Sequence, residues 1–174
     1  FDFHGGGQDL VFPHHENEIA QSEAATGKPF ARYWVENGLV LLSGAKMSKS
    51  TQHFFLIEDV ARQVDPEVIR FYLQSTHYRS PIEWNEERLK EAGIAYGRLR
   101  AALASVEKIG PPPGARPDYS EALAAHDLAL EVQSLKQQFE EAMDDDFNTA
   151  RAQGHLFEMA KAINRTVDAG AASD

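Results

Sequence analysis

A run of three prolines flanked by glycines, at residues 110–114, sets the strongest limit on how this chain folds. Proline has no backbone N–H and a fixed φ, so neither a helix nor a central strand continues through such a run. We therefore predict a stiff linker over residues 110–118. Apolar residues recur at helical spacing on both sides of it, which predicts three helices, over residues 85–109, 119–144 and 148–168. Asn148 is the expected N-cap of the last helix.

The part of the chain before this helical region mixes strand and helix patterns. Residues 33–42 are rich in Tyr, Trp, Val and Leu, and the turn signal Asn37-Gly38 divides them into two short strands. Pro13 suits the first turn of a helix over residues 14–25, because its missing N–H has no partner there in any case. Two further amphipathic helices are predicted, over residues 56–64 and 66–75.

Cysteine content, net charge and the length of the apolar runs limit the kinds of protein and binding partner that fit this chain. The chain has 174 residues and no cysteine, which excludes a disulfide framework and fits a cytoplasmic protein. A formal net charge of −10 argues against a surface that coats nucleic acid, so RNA contacts would need local basic groups. Such groups are Lys46, Lys49, Arg88, Lys90, Arg98 and Arg100. No apolar run reaches the length of a membrane span, so a membrane partner is not expected.

The first chemical constellation is the glycine-rich segment that begins at His4. Gly5, Gly6 and Gly7 have no Cβ, so their backbone can approach a planar or charged ligand closely. Asp9 follows the glycines, where a carboxylate is suited to accept hydrogen bonds from ribose hydroxyls. The alternative is a plain glycine turn between a strand and a helix, which is the commoner meaning of a loose glycine pattern.

The second constellation is a histidine and a glutamate four residues apart. At that spacing His14 and Glu18 share one face of a helix, and imidazole and carboxylate are both good zinc ligands. His15 and Glu18, at a spacing of three, form the competing pair. The alternative to a metal site is a polar helix face with a hydrogen bond between His and Glu.

The third constellation is the lysine-rich segment KMSKS, at residues 46–50. Lys46 and Lys49 stand among small hydroxyl residues after a glycine turn, where they can reach developing charge on phosphates. Their role as catalytic residues depends on the motif as a whole. For an arbitrary pair of lysines, the alternative would be an exposed basic loop with no ligand.

The whole pentapeptide, downstream of HGGG-x-D and FPHHENE, resembles the cysteinyl-tRNA synthetases, a family of class I aminoacyl-tRNA synthetases. The resemblance covers most of residues 1–85 tightly and the helical part more loosely. Further matches carry it: Phe54, Asp-Pro-Glu at residues 65–67, RFYL at residues 70–73, STHYRS at residues 75–80 and AMDDDFNT at residues 142–149.

The resemblance gives the predicted fold class, α/β followed by all-α, a more specific form. Residues 1–84 would be the second half of a Rossmann-type class I catalytic domain, with the KMSKS loop and a stem-contact region. Residues 85–174 would be a truncated, anticodon-side helical bundle of the DALR type. The chain begins without methionine and inside a motif, and we interpret it as a piece of a longer protein.

The resemblance also implies roles for individual residues. His14 and Glu18 would bind zinc, with two cysteines that precede this segment in the family. Lys49 would contact ATP, with Lys46 assisting. The adenylate and cysteine pocket would be lined by His4, Gly5, Gly6, Gly7 and Asp9.

The reaction implied is that of a cysteine–tRNA ligase. Cysteine and ATP, which carries magnesium, would give cysteinyl-adenylate, and the cysteinyl group would pass to tRNA-Cys on a cytoplasmic, monomeric enzyme. Two alternatives stay open: a ligase that joins cysteine to an aminosugar, as in mycothiol synthesis, and a non-catalytic remnant that binds RNA or a partner.

Two departures from the family pattern affect these expectations. Thr51-Gln52-His53 replaces the usual Leu-Gly-Asn after KMSKS, which puts the mobility of that loop in doubt. The chain also has no HIGH-type histidine motif and no zinc thiolates. We therefore expect these 174 residues to be inactive by themselves.

Overall fold

The computed structural model describes residues 1–42, 45–46, 56–109 and 127–171. The predicted linker over residues 110–118 lies outside the described residues, as does the predicted ATP contact Lys49. Contacts between Cα atoms divide the chain into two compact units, Phe1–Arg88 and Leu89–Asp174. Each unit is described by itself.

The first unit opens with a strand, a helix and a parallel strand. Strand β1, Phe3–Gly7, pairs in parallel with strand β2, Tyr33–Asn37, and places Gly6 opposite Glu36. Helix α1, Glu16–Thr26, crosses between them. Parallel neighbours need such a crossover, because the chain must return to the same end of the sheet before the second strand begins.

Helix α1 has a defined beginning and end. A 3-10 turn, Gln8–Leu10, and a wider turn, Val11–His15, lead into it. Phe12 is extended within the wider turn, so continuous helical backbone begins only after that residue. Gly27 ends the helix with a φ of 66°, a left-handed conformation that glycine adopts without steric cost.

The two strands predicted over residues 33–42 are present, but they belong to different sheets. Strand β3, Val40–Leu42, pairs with strand β4, Ala45–Lys46, and with strand β5, Ile82–Glu83. The reason is at Gly38, whose N–H donates to the Tyr78 carbonyl at 2.6 Å. The backbone of Ser80 lies so close to Gly38 that a Cβ there would collide with it. The 78–80 segment therefore lies beside the turn between β2 and β3, and the two strands do not pair with each other as a hairpin.

Two short helices complete the first unit. They are α2, Ile57–Ala61, and α3, Pro66–Leu73, as the apolar spacing predicts. Asp65 caps α3, since its Oδ1 accepts from the Glu67 N–H at 2.9 Å. Val68, Ile69 and Tyr72 from α3 are the buried apolar residues of this part.

The second unit is helical in its described part. Helix α4, Glu86–Ile109, begins at the end of the first unit, and helices α5, Asp127–Asp144, and α6, Thr149–Ala171, pack against each other. The residues buried in α5 and α6 are small: Ala142, Ala152, Ala160 and Ala162. Small side chains let two helix backbones come close together.

The turn between α5 and α6 confirms the predicted cap. Asp146 and Phe147 both have a φ of 54°, which reverses the chain within a few residues. The Oδ1 atom of Asn148 then accepts from the Arg151 N–H at 3.1 Å. Asn148 therefore satisfies an N–H that the first turn of α6 leaves without a helical partner.

A search of the described residues found no helix both long and apolar enough to span a lipid bilayer.

Tyr72 joins α3 to the second sheet. Its hydroxyl donates a hydrogen bond to the Glu83 carbonyl, and its ring meets Trp84 edge-on, with centroids 5.9 Å apart. Burial raises the pKa of the phenol above its ordinary value of 10.0, and the nearby Arg88 offsets part of that rise. The neutral phenol is thus the form that the folded chain favours.

We expect Tyr72→Phe to lower the free energy of unfolding by about 1 kcal/mol near neutral pH, because it removes the hydroxyl that bonds to the Glu83 carbonyl. The folded pKa is raised, so the contribution of Tyr72 is complete below pH 10.0 and is lost as the pH rises through the folded value. Urea unfolding of both proteins over that range should show the gap between them closing above pH 10.0. A gap that stays constant would contradict this role.

Candidate functional site

The predicted site residues of the first unit converge beside the crossover between β1 and β2. The Glu18 carboxylate, on α1, lies between two imidazoles. His4 Nε2, from β1, is 2.9 Å from Glu18 Oε2, and His14 Nε2 is 3.5 Å from Glu18 Oε1. His14 and Glu18 therefore share a helix face, as their spacing predicts. That His4 reaches the same carboxylate was not predicted.

A buried pair stands behind this carboxylate. His15 is only 3% exposed, and its Nδ1 atom lies 3.0 Å from Glu36 Oε1, on β2. One ligand atom from each of His4, His15 and Glu18 lies within 4.8 Å of the others. His14 and His15 therefore both approach Glu18. The spacings of four and three residues had left the choice between them open.

Aromatic rings surround the imidazoles. Trp34 lies 4.9 Å from the His4 ring and 5.2 Å from the His15 ring, measured between centroids. His4 and His15 meet edge to face at 5.3 Å, and Phe30 packs on His4 at 5.0 Å. This packing restricts ring rotation, so the imidazole nitrogens keep fixed positions relative to Glu18.

Two carboxylate oxygens in this cluster are buried without a hydrogen bond, namely Glu18 Oε2 and Glu36 Oε2. The first has His4 Nε2 at 2.9 Å, but the contact does not have the angles of a hydrogen bond. A buried carboxylate oxygen with no donor is costly unless a cation stands near it. The cluster thus has the chemistry of a cation site.

Gly5 and Gly6 are required by contacts within the protein, whereas a Cβ on Gly7 would clash only with the exposed Asp9 side chain. A Cβ on Gly5 would lie 2.9 Å from the Val35 carbonyl oxygen, and one on Gly6 would lie 2.8 Å from His15 Nε2. A Cβ on Gly7 would collide with Asp9 Oδ1. The space that the glycines leave is therefore filled by β2, by the His15 ring and by the Asp9 carboxylate. Their role toward a ligand stays a prediction.

Of the two lysines in the KMSKS segment, the structure describes only the backbone of Lys46. Lys46 ends β4, where its backbone pairs with Leu41 of β3. Lys49 lies outside the described residues. Asp9 is exposed in the 3-10 turn that follows β1.

The first unit also contains an apolar cavity of about 490 Å³ between α2 and α3. Its described lining contains a single charged residue, Arg70, and no histidine or carboxylate. Among the described lining residues there is thus no group for metal binding or proton transfer. The imidazole and carboxylate cluster is therefore the better candidate for a functional site.

Comparison with family models identifies the chain. A model described as the class I (C) tRNA synthetase catalytic domain matches residues 1–93. This chain belongs to the class I (C) tRNA synthetases. A second model, described as a DALR domain, matches residues 138–174 of the same synthetase chain.

Similar proteins agree with this assignment. The cysteine–tRNA ligase of Geobacter sulfurreducens is 51% identical over 170 residues, which cover 98% of this chain and 34% of that protein. The ligase of Carboxydothermus hydrogenoformans is 46% identical over 98% of this chain and 35% of its own length. The resemblance to the cysteinyl family is thus confirmed. The synthetase chain spans about a third of the length of these relatives.

A solved structure supports the fold. It is the ternary complex of the Agrobacterium radiobacter K84 agnB2 LeuRS with tRNA and LeuAMS, and it matches with a TM-score of 0.71. The match covers 94% of this synthetase chain and 23% of the LeuRS chain, at 17% identity.

Gly6→Ala should lower the free energy of unfolding by roughly 1–3 kcal/mol, because the new methyl group would press on the buried His15 ring. Gly154→Ala, in α6, is the matched control, since nothing lies within 4 Å of its added Cβ. The control should gain about 0.5–1 kcal/mol from helix propensity. Equal effects at both positions, measured by urea unfolding, would contradict the packing role assigned to Gly6.

Proposed function

We propose that this chain is part of a cysteine–tRNA ligase, which forms cysteinyl-adenylate from cysteine and ATP and transfers the cysteinyl group to tRNA-Cys. The observation that carries the proposal is the cluster in which His14 and His4 approach the two oxygens of Glu18. It occurs in a chain about half identical to cysteine–tRNA ligases over nearly its whole length.

The domain roles follow from this assignment. Residues 1–84 would supply the second half of a Rossmann-type catalytic domain together with a stem-contact region. Residues 85–174 would supply part of an anticodon-side helical bundle. The parallel β1–α1–β2 unit and the match to the DALR domain support this division.

The residues present fit a zinc ion. His14 Nε2 and the Glu18 carboxylate are 3.5 Å apart, and both are common zinc ligands. The buried Glu18 Oε2 has no hydrogen bond, which a cation would compensate. Two thiolates from cysteines outside these residues would complete the set. When zinc is bound, the site would supply a soft acceptor for the thiolate of cysteine, which a serine hydroxyl could not match.

The residues of this chain would hold and orient the substrates. His4 lies 2.9 Å from the Glu18 carboxylate on one side, and the Trp34 ring packs against the His4 imidazole. Lys49, with Lys46, would stabilise charge on the phosphates of magnesium-bound ATP as pyrophosphate leaves. Asp9 would accept hydrogen bonds from the ribose, and the backbone of the glycine segment would lie against the adenylate.

His14→Ala and Glu18→Ala in the full-length protein should each lose bound zinc and the preference for cysteine over serine. The expectation rests on the two ligand atoms that these changes remove. Zinc content by atomic emission and the ratio of kcat/KM for the two amino acids in adenylate formation would measure it. Glu16→Ala, an exposed carboxylate on the same helix, is the control. Full zinc content and full selectivity in both variants would show that the ligands are assigned wrongly.

The 174 residues tested alone should show no ATP–pyrophosphate exchange with cysteine, because they contain neither a HIGH-type motif nor a cysteine thiolate. The positive control is the full-length protein under the same conditions. Appreciable exchange by the shorter chain would contradict this expectation.

The aminosugar ligase is the second candidate function. The helical region and its match to a DALR domain over residues 138–174 favour the tRNA enzyme. Charging assays with tRNA-Cys and with the aminosugar would separate the two, since each candidate transfers the same cysteinyl group to a different acceptor.

A further inference from the structure

The buried pair formed by Glu36 and His15 has no part in the mechanism above. His15 is 3% exposed and the Glu36 side chain 16%, so both are largely removed from water. An ionised carboxylate only accepts hydrogen bonds. The contact of 3.0 Å joins Glu36 Oε1 to His15 Nδ1 and leaves Nε2 on the other side of the ring.

The orientation of the His15 ring is set from several sides. Glu36 holds Nδ1, and the opposite edge of the ring lies over Gly6, where a Cβ would be 2.8 Å from Nε2. The face and edges of the ring also meet His4 and Trp34. If Glu36 no longer held Nδ1, packing alone would hold the ring, and a small shift of it would move the surface that supports His4.

A line of contacts thus runs from Glu36 to the candidate metal ligands. His15 supports the His4 ring edge to face, and His4 Nε2 lies 2.9 Å from Glu18. We propose that Glu36 is a positioning residue, which holds His15 and through it fixes His4 and the Glu18 carboxylate for metal binding. This inference rests on the proposed zinc site.

The structure suggests a set of substitutions that separates the hydrogen bond from the charge. Glu36→Gln keeps an acceptor oxygen at the same distance but removes the charge. Glu36→Asp keeps the charge but shortens the side chain, so that its oxygen no longer reaches His15. Glu36→Met has nearly the length of glutamate and no acceptor. A positioning role requires the first variant to behave differently from the other two.

The test uses full-length, metal-free protein titrated with Co²⁺. Competition with a chelator measures the affinity of the protein for Co²⁺. The visible d–d absorption of the bound ion reports the geometry of its ligands. Glu36→Met and Glu36→Asp should weaken Co²⁺ binding by roughly tenfold, the low end of the effect of losing a direct partner of a metal ligand, because Glu36 acts through His15 and His4. Their absorption bands should also change. Glu36→Gln should keep most of the affinity and the original bands.

The free energy of unfolding of each metal-free variant is measured alongside, because a purely structural role would lower stability and leave the bands unchanged in the folded protein. That result would overturn the inference. A Glu36→Gln variant that bound Co²⁺ as weakly as Glu36→Asp would overturn it too. If Glu36→Met fails to fold, the comparison of Gln with Asp decides the question. If the unsubstituted protein failed to bind Co²⁺, the zinc assignment would be wrong as well. If it bound Co²⁺ and the variants kept the same affinity and absorption bands, only the role of Glu36 would be refuted.

Discussion

The parallel pairing of β1 with β2 is the constraint on which the candidate site depends. Its register places His4 beside Trp34 and Gly6 beside Glu36. The crossover through α1 then returns Glu18 to the same end of the sheet, where it meets His4. The residues of this cluster come from β1, α1 and β2, so its geometry depends on the pairing of the two strands. A shift of one residue would move every side chain of a strand to the opposite face.

The electrostatic character of the cluster follows from where that pairing places polar groups. Two carboxylates and two imidazoles lie among aromatic rings, where water cannot screen or solvate them fully. The two buried oxygens without a hydrogen bond belong to Glu18 and Glu36. In a chain with a net charge of −10, a further buried negative charge is unfavourable without a nearby positive partner. A bound cation would supply that partner at Glu18.

Local chemistry could be predicted from the sequence, and contacts between distant segments could not. The spacing of His14 and Glu18 fixes their proximity, and Asn148 caps its helix, because both effects act within one or two turns. The separation of β2 from β3 depends instead on the 78–80 segment, which replaces a hairpin partner. Strand β5 follows Pro81 directly and has only two residues, too few for an alternating pattern. The contact of Glu36 with His15 requires the strand register, which no local pattern encodes.

The adjacent histidines illustrate how one dipeptide can serve two purposes. His15 is buried, and its Nδ1 is engaged by Glu36, so its ring contributes mainly to packing beneath β1. The His14 side chain is 58% exposed and faces an oxygen of Glu18 at 3.5 Å, so this side of the cluster is the more open one. Exchange of a substrate requires an open side, whereas precise positioning requires a closed one. Successive residues at the start of a helix point in different directions, and this single step along the chain therefore provides both environments.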